Sequence, residues 1–276
     1  MQIARCIRPE RGWGRLARMA DSSYAAAHAR RVLVTGGSRG IGAAVCRSFA
    51  GLGDRVAIHY GTSRTAAEEV LASLPGTGHV VVAADLRDAD QVRAMVDDAA
   101  AALGGLDVLV NNAGVFYDHH VDEVSYEDWQ QAWADTLGVN LVGAANASYC
   151  ALRHMPRDGS ARIVNVGSRG AFRGEPRSPA YGASKAGIAS FGQSLAKALG
   201  GTGVSVTTVA PGFVETDMAT ESLEGEGGDA IRGDSPFGRV AQPQEIADAV
   251  VYLASPQAQW ASGAILDLNG AAYLRM

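Results

Sequence analysis

The chain has 276 residues, of which 47% are hydrophobic and 19% charged, and its formal net charge is −5. That length and apolar content suit one sizeable α/β core. The acidic balance argues against nucleic acid or an anionic membrane as partner, and no apolar run approaches the roughly 20 residues of a membrane span. Cys6, Cys46 and Cys150 have neither metal-ligand nor redox spacing, so the expectation is a reducing, cytoplasmic compartment with no disulfide framework and no metal.

Residues 1–28 differ from the rest. Arg5, Arg8, Arg11, Arg15 and Arg18 against Glu10 put +4 in the first 18 residues and leave −9 for the remainder. There is no apolar h-region, so this is not a secretory signal. Between a transit peptide and a basic upstream extension with Met19 as the natural start, we favour the extension and expect it to have no role in the fold.

From Arg31 the pattern becomes regular. Arg31–Thr35 is a short buried strand. Gly36-Gly-Ser-Arg-Gly40-Ile-Gly42 and a helical run to Ala50 follow. Strand, glycine loop and helix are the context a dinucleotide fingerprint requires. The spacing is Gly-x-x-x-Gly-x-Gly, but the tasks are the usual ones: a tight turn, close approach to a pyrophosphate, and helix–strand packing. The helix N-terminus adds N–H groups and positive dipole. The second strand, Arg55–Tyr60, should end in a carboxylate if the cofactor is NAD. It reads His59-Tyr60-Gly61-Thr62-Ser63-Arg64 instead. Arg39 and Arg64 are placed to meet a 2′-phosphate, so NADP(H) is favoured over NAD(H).

Alternation continues with a helix over 63–74, a strand over 79–84 ending at Asp85-Leu86, and a helix over 89–103. A strand over 106–110 ends in Asn111-Asn112-Ala113-Gly114. Small and amide residues at a strand's C-terminal end suit a cofactor crevice. Ser125-Tyr-Glu-Asp128 resembles a capping box with Asp in place of Glu. It opens a long helical region whose interior holds Asn140, a residue that disfavours helix and is expected either to distort it or to face solvent. Strands at 162–166, 204–209 and 264–268 and a helix from Pro243 to about Ala254 complete the pattern. Residues 213–237 read as irregular, glycine-rich and acidic, and are expected to be a mobile lid. Strands and helices alternating seven times predict a doubly wound, seven-stranded parallel sheet flanked by helices, in one domain over 29–276.

Ser168–Lys185 follows the fifth strand. Pro176 and Pro179 keep its middle out of a helix. After Pro179, Tyr181, Lys185, Ile188, Phe191 and Leu195 recur at helical spacing, so Tyr181 and Lys185 share one face a turn apart. A phenol is a poor acid or base at neutral pH unless a nearby ammonium favours its ionised form, and the Ser168 hydroxyl could hold a substrate oxygen beside it. Alone, such a pair is usually an ordinary amphipathic helix.

Taken together, Thr35–Gly42, Asp85, Asn111–Gly114, Asn140, Ser168, Tyr181-Gly-Ala-Ser-Lys185 and Pro211-Gly212 resemble the short-chain dehydrogenase/reductases, over residues 30–272. The resemblance implies a Rossmann-type fold and an NADP(H)-dependent oxidoreductase that reduces a ketone to a secondary alcohol. Tyr181 would be the acid, Lys185 would lower its pKa and hold the nicotinamide ribose, Ser168 would polarise the carbonyl, and Asn140 would anchor a water leading from Lys185. Gly36, Ser38, Arg39, Gly40, Ile41, Gly42, Tyr60, Thr62, Ser63, Asp85, Leu86, Asn112, Ala113, Gly114, Tyr181, Lys185, Pro211, Gly212, Val214 and Thr216 would line the cofactor. Ser38-Arg39 and Phe237–Val240 are similar to the 3-oxoacyl thioester reductases. Sugar, polyol and other alcohol dehydrogenases keep the same catalytic residues, and a non-catalytic NADP-binding regulator would share the fold. The resemblance also implies a homotetramer. Arg169, Arg173 and Arg177, with Arg153 and Arg157 upstream, suggest a basic rim that attracts an anionic carrier; the alternative is ordinary surface charge, partly paired with Glu175 or Asp158.

Overall fold

The structure, a computed structural model, describes residues 29–275; the basic extension over 1–28 lies outside the described residues. Seven strands form one parallel sheet: β1 (Arg31–Val34), β2 (Arg55–Tyr60), β3 (Val80–Ala83), β4 (Val108–Asn111), β5 (Arg162–Val166), β6 (Ser205–Pro211) and β7 (Ile265–Leu268). Their spatial order is β3-β2-β1-β4-β5-β6-β7. The chain therefore reverses direction across the sheet between β1 and β4, where a crevice opens at the strands' C-terminal ends.

Period-two alternation divides the strand side chains between two cores. Val32, Val34, Val56, Ile58, Val108, Val110, Val164 and Val166 face one side. Helices α1 (Gly40–Gly51) and, near the end of the chain, Pro243–Leu253 cover it with Val45, Phe49, Ile246 and Val250. Leu33, Ala57, Leu109, Ile163 and Val206 face the other. Helix α3 (Ala89–Leu103) covers that side with Val92, Met95 and Val96. Both faces of the central strands are thus dry, and this is why they read as near-continuous β-branched runs.

The helices start where local chemistry satisfies their free N–H groups. Ser63 caps α2 (Arg64–Ser73), and Asp88 caps α3 by accepting from Asp90 and Gln91 N–H at 2.9 and 3.1 Å. Ser125 caps α4 (Tyr126–Leu137) by accepting from Asp128 N–H at 3.1 Å. The reciprocal half of that box differs from expectation: the Asp128 carboxylate, one methylene shorter than Glu, accepts from the Ser125 hydroxyl at 2.7 Å.

The misfit expected at Asn140 is a π-helical turn, Gly138–Gly143, joining α4 to α5 (Ala144–Ala151). Gly143 permits it, because a Cβ there would lie 2.7 Å from the Leu86 carbonyl oxygen. After β5 come a short helix, α6 (Gly170–Arg173), and the long α7 (Pro179–Leu199), with Pro179 in its first turn.

Residues 213–237 are not irregular. They contain α8 (Asp217–Glu224) and α9 (Gly228–Gly233). Ala219 and Leu223, four apart and buried, give α8 an apolar stripe only two turns long, too short to stand out among the surrounding glycines. Gly228 lets α9 begin directly against α8, since a Cβ there would be 2.0 Å from the Leu223 oxygen. Helix α10 (Pro243–Leu253) opens with Glu245 accepting from Gln242 N–H at 2.8 Å.

Candidate active site

The C-terminal ends of β1 to β6, the π turn and helix α7 carry the predicted site residues. At β1, Gly36 (φ +62°) and Gly40 (φ +52°) take left-handed conformations that side chains strain to adopt. Gly42 is required for packing: a Cβ would lie 2.1 Å from the Gly36 oxygen and 2.6 Å from Asn112 Nδ2. The loop is fixed from β4, where Asn112 Nδ2 donates to the Thr35 and Gly36 oxygens at 2.9 and 3.0 Å. Thr35 Oγ1 accepts from Asn112 and Ala113 N–H in return.

From β2, buried His59 accepts from Gly36 N–H at Nδ1, 3.0 Å, and donates from Nε2 to the Ala84 oxygen, 3.1 Å. Burial holds its pKa below the ordinary value and so keeps it neutral. His59 is a structural member of this site that sequence reasoning missed, and Thr35, the first residue of the glycine-loop motif, holds the loop to β4. A lone strand histidine carries no signal of where its two nitrogens will point.

The N-terminus of α1 has no side-chain cap. Its first-turn N–H groups and dipole suit an anion. Arg39, at the N-cap, is exposed and forms no ion pair among the described residues. Arg64, by contrast, is held by Glu68 at 2.7 Å. Tyr60 ends β2, followed by Thr62 and the cap Ser63. The Asp85 carboxylate is engaged by Arg87 at 2.7 Å, and the Arg87 hydrogen bonds hold it below the usual carboxylate range. Leu86 buries its side chain in the core. On the far side, Gly212 follows Pro211 at the end of β6. Val214 is buried and bridges to Ala241, and the Thr216 methyl comes within 3.1 Å of a Cβ built on Gly40. The start of the 213–237 segment thus reaches over the glycine loop. These features fit a dinucleotide: an uncapped helix end, glycines where backbone must come close, and one unpaired guanidinium.

Tyr181 and Lys185 lie one turn apart on α7, with Lys185 Nζ 5.6 Å from the tyrosine ring centroid. Nζ donates to the Val166 oxygen at 2.9 Å. Lys185 is buried, and burial pulls its pKa down to about 8. Ser168 Oγ accepts from Gly170 N–H at 3.0 Å, so its hydroxyl proton is left to donate toward the Tyr181 phenol or a substrate oxygen. The phenol does not behave as the Tyr–Lys spacing alone suggests. Burial pushes the Tyr181 pKa up, the Glu175 carboxylate adds to the rise, and only the Ser168 hydroxyl opposes them. Tyr181 is half-buried, so its desolvation is incomplete. At neutral pH Tyr181 is a protonated acid.

Asn140, buried in the π turn, accepts from Val115 N–H at 2.8 Å. It donates to the Val115 oxygen at 3.0 Å and to Ser184 Oγ at 3.1 Å. Its carboxamide therefore ties the β4 loop to α7. A Cβ on Gly114 would lie 3.5 Å from both Asn140 Oδ1 and Lys185 Nζ, so these two meet at the β4 end of the crevice, with Tyr181 one turn from Lys185 and Ser168 acting on its phenol. Phe116, which carried no sequence signal, packs edge-on to Tyr181 at 5.1 Å.

The arginines do not form one rim. Arg169 is buried against the Phe213 ring and bonds Asp234 at 3.2 Å. Arg173 reaches the same carboxylate at 3.4 Å. Arg177 turns the other way, to Asp118 at 2.6 Å and Glu123 at 3.1 Å. Arg153 stacks on Tyr149, and Arg157 bonds Thr202.

The pattern of the short chain dehydrogenase family matches residues 30–227. The 3-oxoacyl-[acyl-carrier-protein] reductase of Vibrio cholerae is 38% identical over 242 residues, covering 88% of this chain and 96% of that protein. The cis-4-hydroxycyclohexanecarboxylate dehydrogenase of Sinomonas cyclohexanicum is 38% identical over 251 residues, covering 88% and 97%. Among solved structures, a short chain dehydrogenase from Burkholderia cenocepacia in complex with NADP superposes with a TM-score of 0.80 at 38% identity, covering 88% of this chain and 97% of that one.

Proposed function

The chain belongs to the short-chain dehydrogenase/reductase family, and from that premise we propose that it reduces a ketone to a secondary alcohol with NADPH. The observation that carries the reading is the placement of Tyr181 one turn from a buried Lys185, with Ser168 beside the phenol, at the C-terminal ends of the central strands. The cofactor, when bound, supplies hydride. Ser168 donates to the carbonyl oxygen and polarises it. Tyr181 gives that oxygen its proton as negative charge develops. Lys185, charged below a pH of about 8, stabilises the phenolate left behind. The absence of a carboxylate at the end of β2 and the unpaired Arg39 favour NADPH over NADH. That preference accords with the NADP bound in the Burkholderia structure.

For the substrate, the Vibrio cholerae relative supports a 3-oxoacyl thioester. One observation favours a second reading, a small cyclic or polyol alcohol. Arg169, Arg173 and Arg177 are consumed in ion pairs, which leaves no free basic rim there for an anionic carrier. The reading extends to a cytoplasmic homotetramer. In support, Val142 and Tyr149 are exposed apolar residues on the 126–151 helical region, and Leu266 and Trp260 are exposed at or near the β7 edge. Among the described residues no helix is long and apolar enough to cross a membrane.

The test follows NADPH absorbance with acyl thioesters, cyclic ketones and sugars side by side. Tyr181→Phe should lose at least about a hundredfold in kcat, the lower end of what general acid catalysis contributes, while binding NADPH normally. Turnover retained in that variant, or absent from the parent with every carbonyl, overturns the reading.

A further inference from the structure

The first turn of α7 carries Tyr181, and its free N–H groups can be accounted for one by one. Pro179 has none. Tyr181 and Gly182 N–H both bond the Ser178 oxygen, at 3.0 and 3.2 Å. Ser178 stands where a capping side chain belongs, yet its hydroxyl is buried without a partner. The remaining group, Ala180 N–H, donates to His119 Nε2 at 3.2 Å. The cap comes from 61 residues away, in the loop that follows β4.

His119 is 1% exposed, and both its nitrogens are assigned. Nδ1 lies 2.8 Å from the Tyr117 carbonyl oxygen, which can only accept, so the proton sits on Nδ1 and leaves Nε2 an acceptor. The Trp129 ring packs edge-on at 5.4 Å, and His119 N–H donates to the Arg177 oxygen at 2.8 Å. The same loop places Phe116 against Tyr181. The imidazole therefore joins the residue next to the catalytic tyrosine to the loop that walls its site.

We propose that His119 is a positioning residue: by accepting from Ala180 N–H it sets where Tyr181 stands relative to Ser168. The inference rests on the carbonyl-reductase reading above. A misplacement of about 1 Å in such a constellation costs up to about a hundredfold in rate, whereas the glycine loop and α1 N-terminus that would hold the cofactor's phosphates belong to a different element from α7. The effect should therefore fall on kcat, not on NADPH affinity.

Two substitutions separate capping from packing. His119→Gln puts its amide oxygen where Nε2 was and keeps an acceptor for Ala180. His119→Asn reproduces the donor to Tyr117 but has nothing at the Nε2 position. We expect His119→Asn to lower kcat by about ten- to a hundredfold, with NADPH Kd unchanged, and to speed amide exchange at residues 180–184. His119→Gln should restore both to within about threefold. Equal loss in the two variants, or a kcat for His119→Asn within about twofold of the parent, overturns the proposal. Amide exchange needs no substrate. If the parent reduces no carbonyl, the functional reading fails by itself. Unaltered exchange in His119→Asn would still refute the cap.

Discussion

Lys185 offers a prediction whose size follows from its surroundings. Burial lowers its pKa from 10.5 to about 8. At 1.36 kcal/mol per pH unit, holding the charged ammonium inside the fold costs about 3 kcal/mol. The unfolded chain keeps that proton up to its ordinary pKa, whereas the folded protein gives it up near 8. Between those values the unfolded state binds more protons, so stability rises with pH across the window. Below it the cost is present in full. Lys185→Met is unbranched, only one atom shorter, and has no proton to lose. Urea unfolding of parent and variant, both free of NADPH, should give a stability difference that moves by about 3 kcal/mol in the parent's favour between pH 7 and 10.5. The lost hydrogen bond to Val166 shifts the offset between the two proteins but not its pH dependence. The chain has only one other lysine, the exposed Lys197, so titration of the ε-methylene NMR signals gives an independent check. A stability difference flat with pH, or both lysines titrating together, would refute the reasoning. At neutral pH the fold tolerates a destabilising cation beside Tyr181, a cost of the kind active sites carry.

Three further outcomes are expected. Arg39→Ala should raise the NADPH KM by about ten- to a hundredfold, the range of a charge-assisted hydrogen bond worth about 1.5–3 kcal/mol, and leave NADH kinetics nearly unchanged; an equal effect on both cofactors would remove Arg39 from the 2′-phosphate. Gly42→Ala forces a Cβ to 2.1 Å from the Gly36 oxygen and should cost about 1–3 kcal/mol as overpacking does, measured by urea unfolding, together with most NADPH binding. Glu175→Gln removes a charge that raises the Tyr181 pKa, so the higher of the two alkaline ionisations in the kcat profile, above that of Lys185, should move to lower pH; a higher ionisation that stays put or moves up would show that Glu175 does not act on the phenol.

What the sequence makes legible here is local. The β1 strand, its glycines and α1 are contiguous, and the spacing of Tyr181 and Lys185 is one helical turn, so both could be read without knowing the fold. Asn140 was readable as a misfit, because an Asn in a helix interior asks for a reason; the reason, a π turn whose carboxamide bonds Val115 and Ser184, was not. The contacts that hold the site together join distant segments. His59 reaches Gly36 and Ala84, His119 reaches Ala180, and Asn112 reaches Thr35. No periodicity encodes such pairs. Helices α8 and α9 failed for a different reason: two turns of amphipathic pattern are too short a signal against five glycines between 225 and 238.

The arginines show how charge density along a chain differs from charge density in space. Arg169, Arg173 and Arg177 are spaced by four, which on a continuous helix would align them. The chain between them is broken instead. Helix α6 ends at Gly174, whose φ of +81° turns the backbone, and the next helix begins only at Pro179. Arg169 and Arg173 consequently face the 213–237 segment, while Arg177 faces the loop after β4. Burial, and after it the neighbouring Arg173, weakens the hold of Arg169 on its proton, and Asp234 counters both. Arg169 is buried and Asp234 exposed, so losing Asp234 leaves a buried guanidinium without its ion-pair partner, whereas losing Arg169 leaves a carboxylate that water can solvate. The guanidinium beside Ser168 stays charged and is held to Asp234, just past α9, so what reads in sequence as a rim for an anionic substrate is a tie between the segment after β5 and the 213–237 helices.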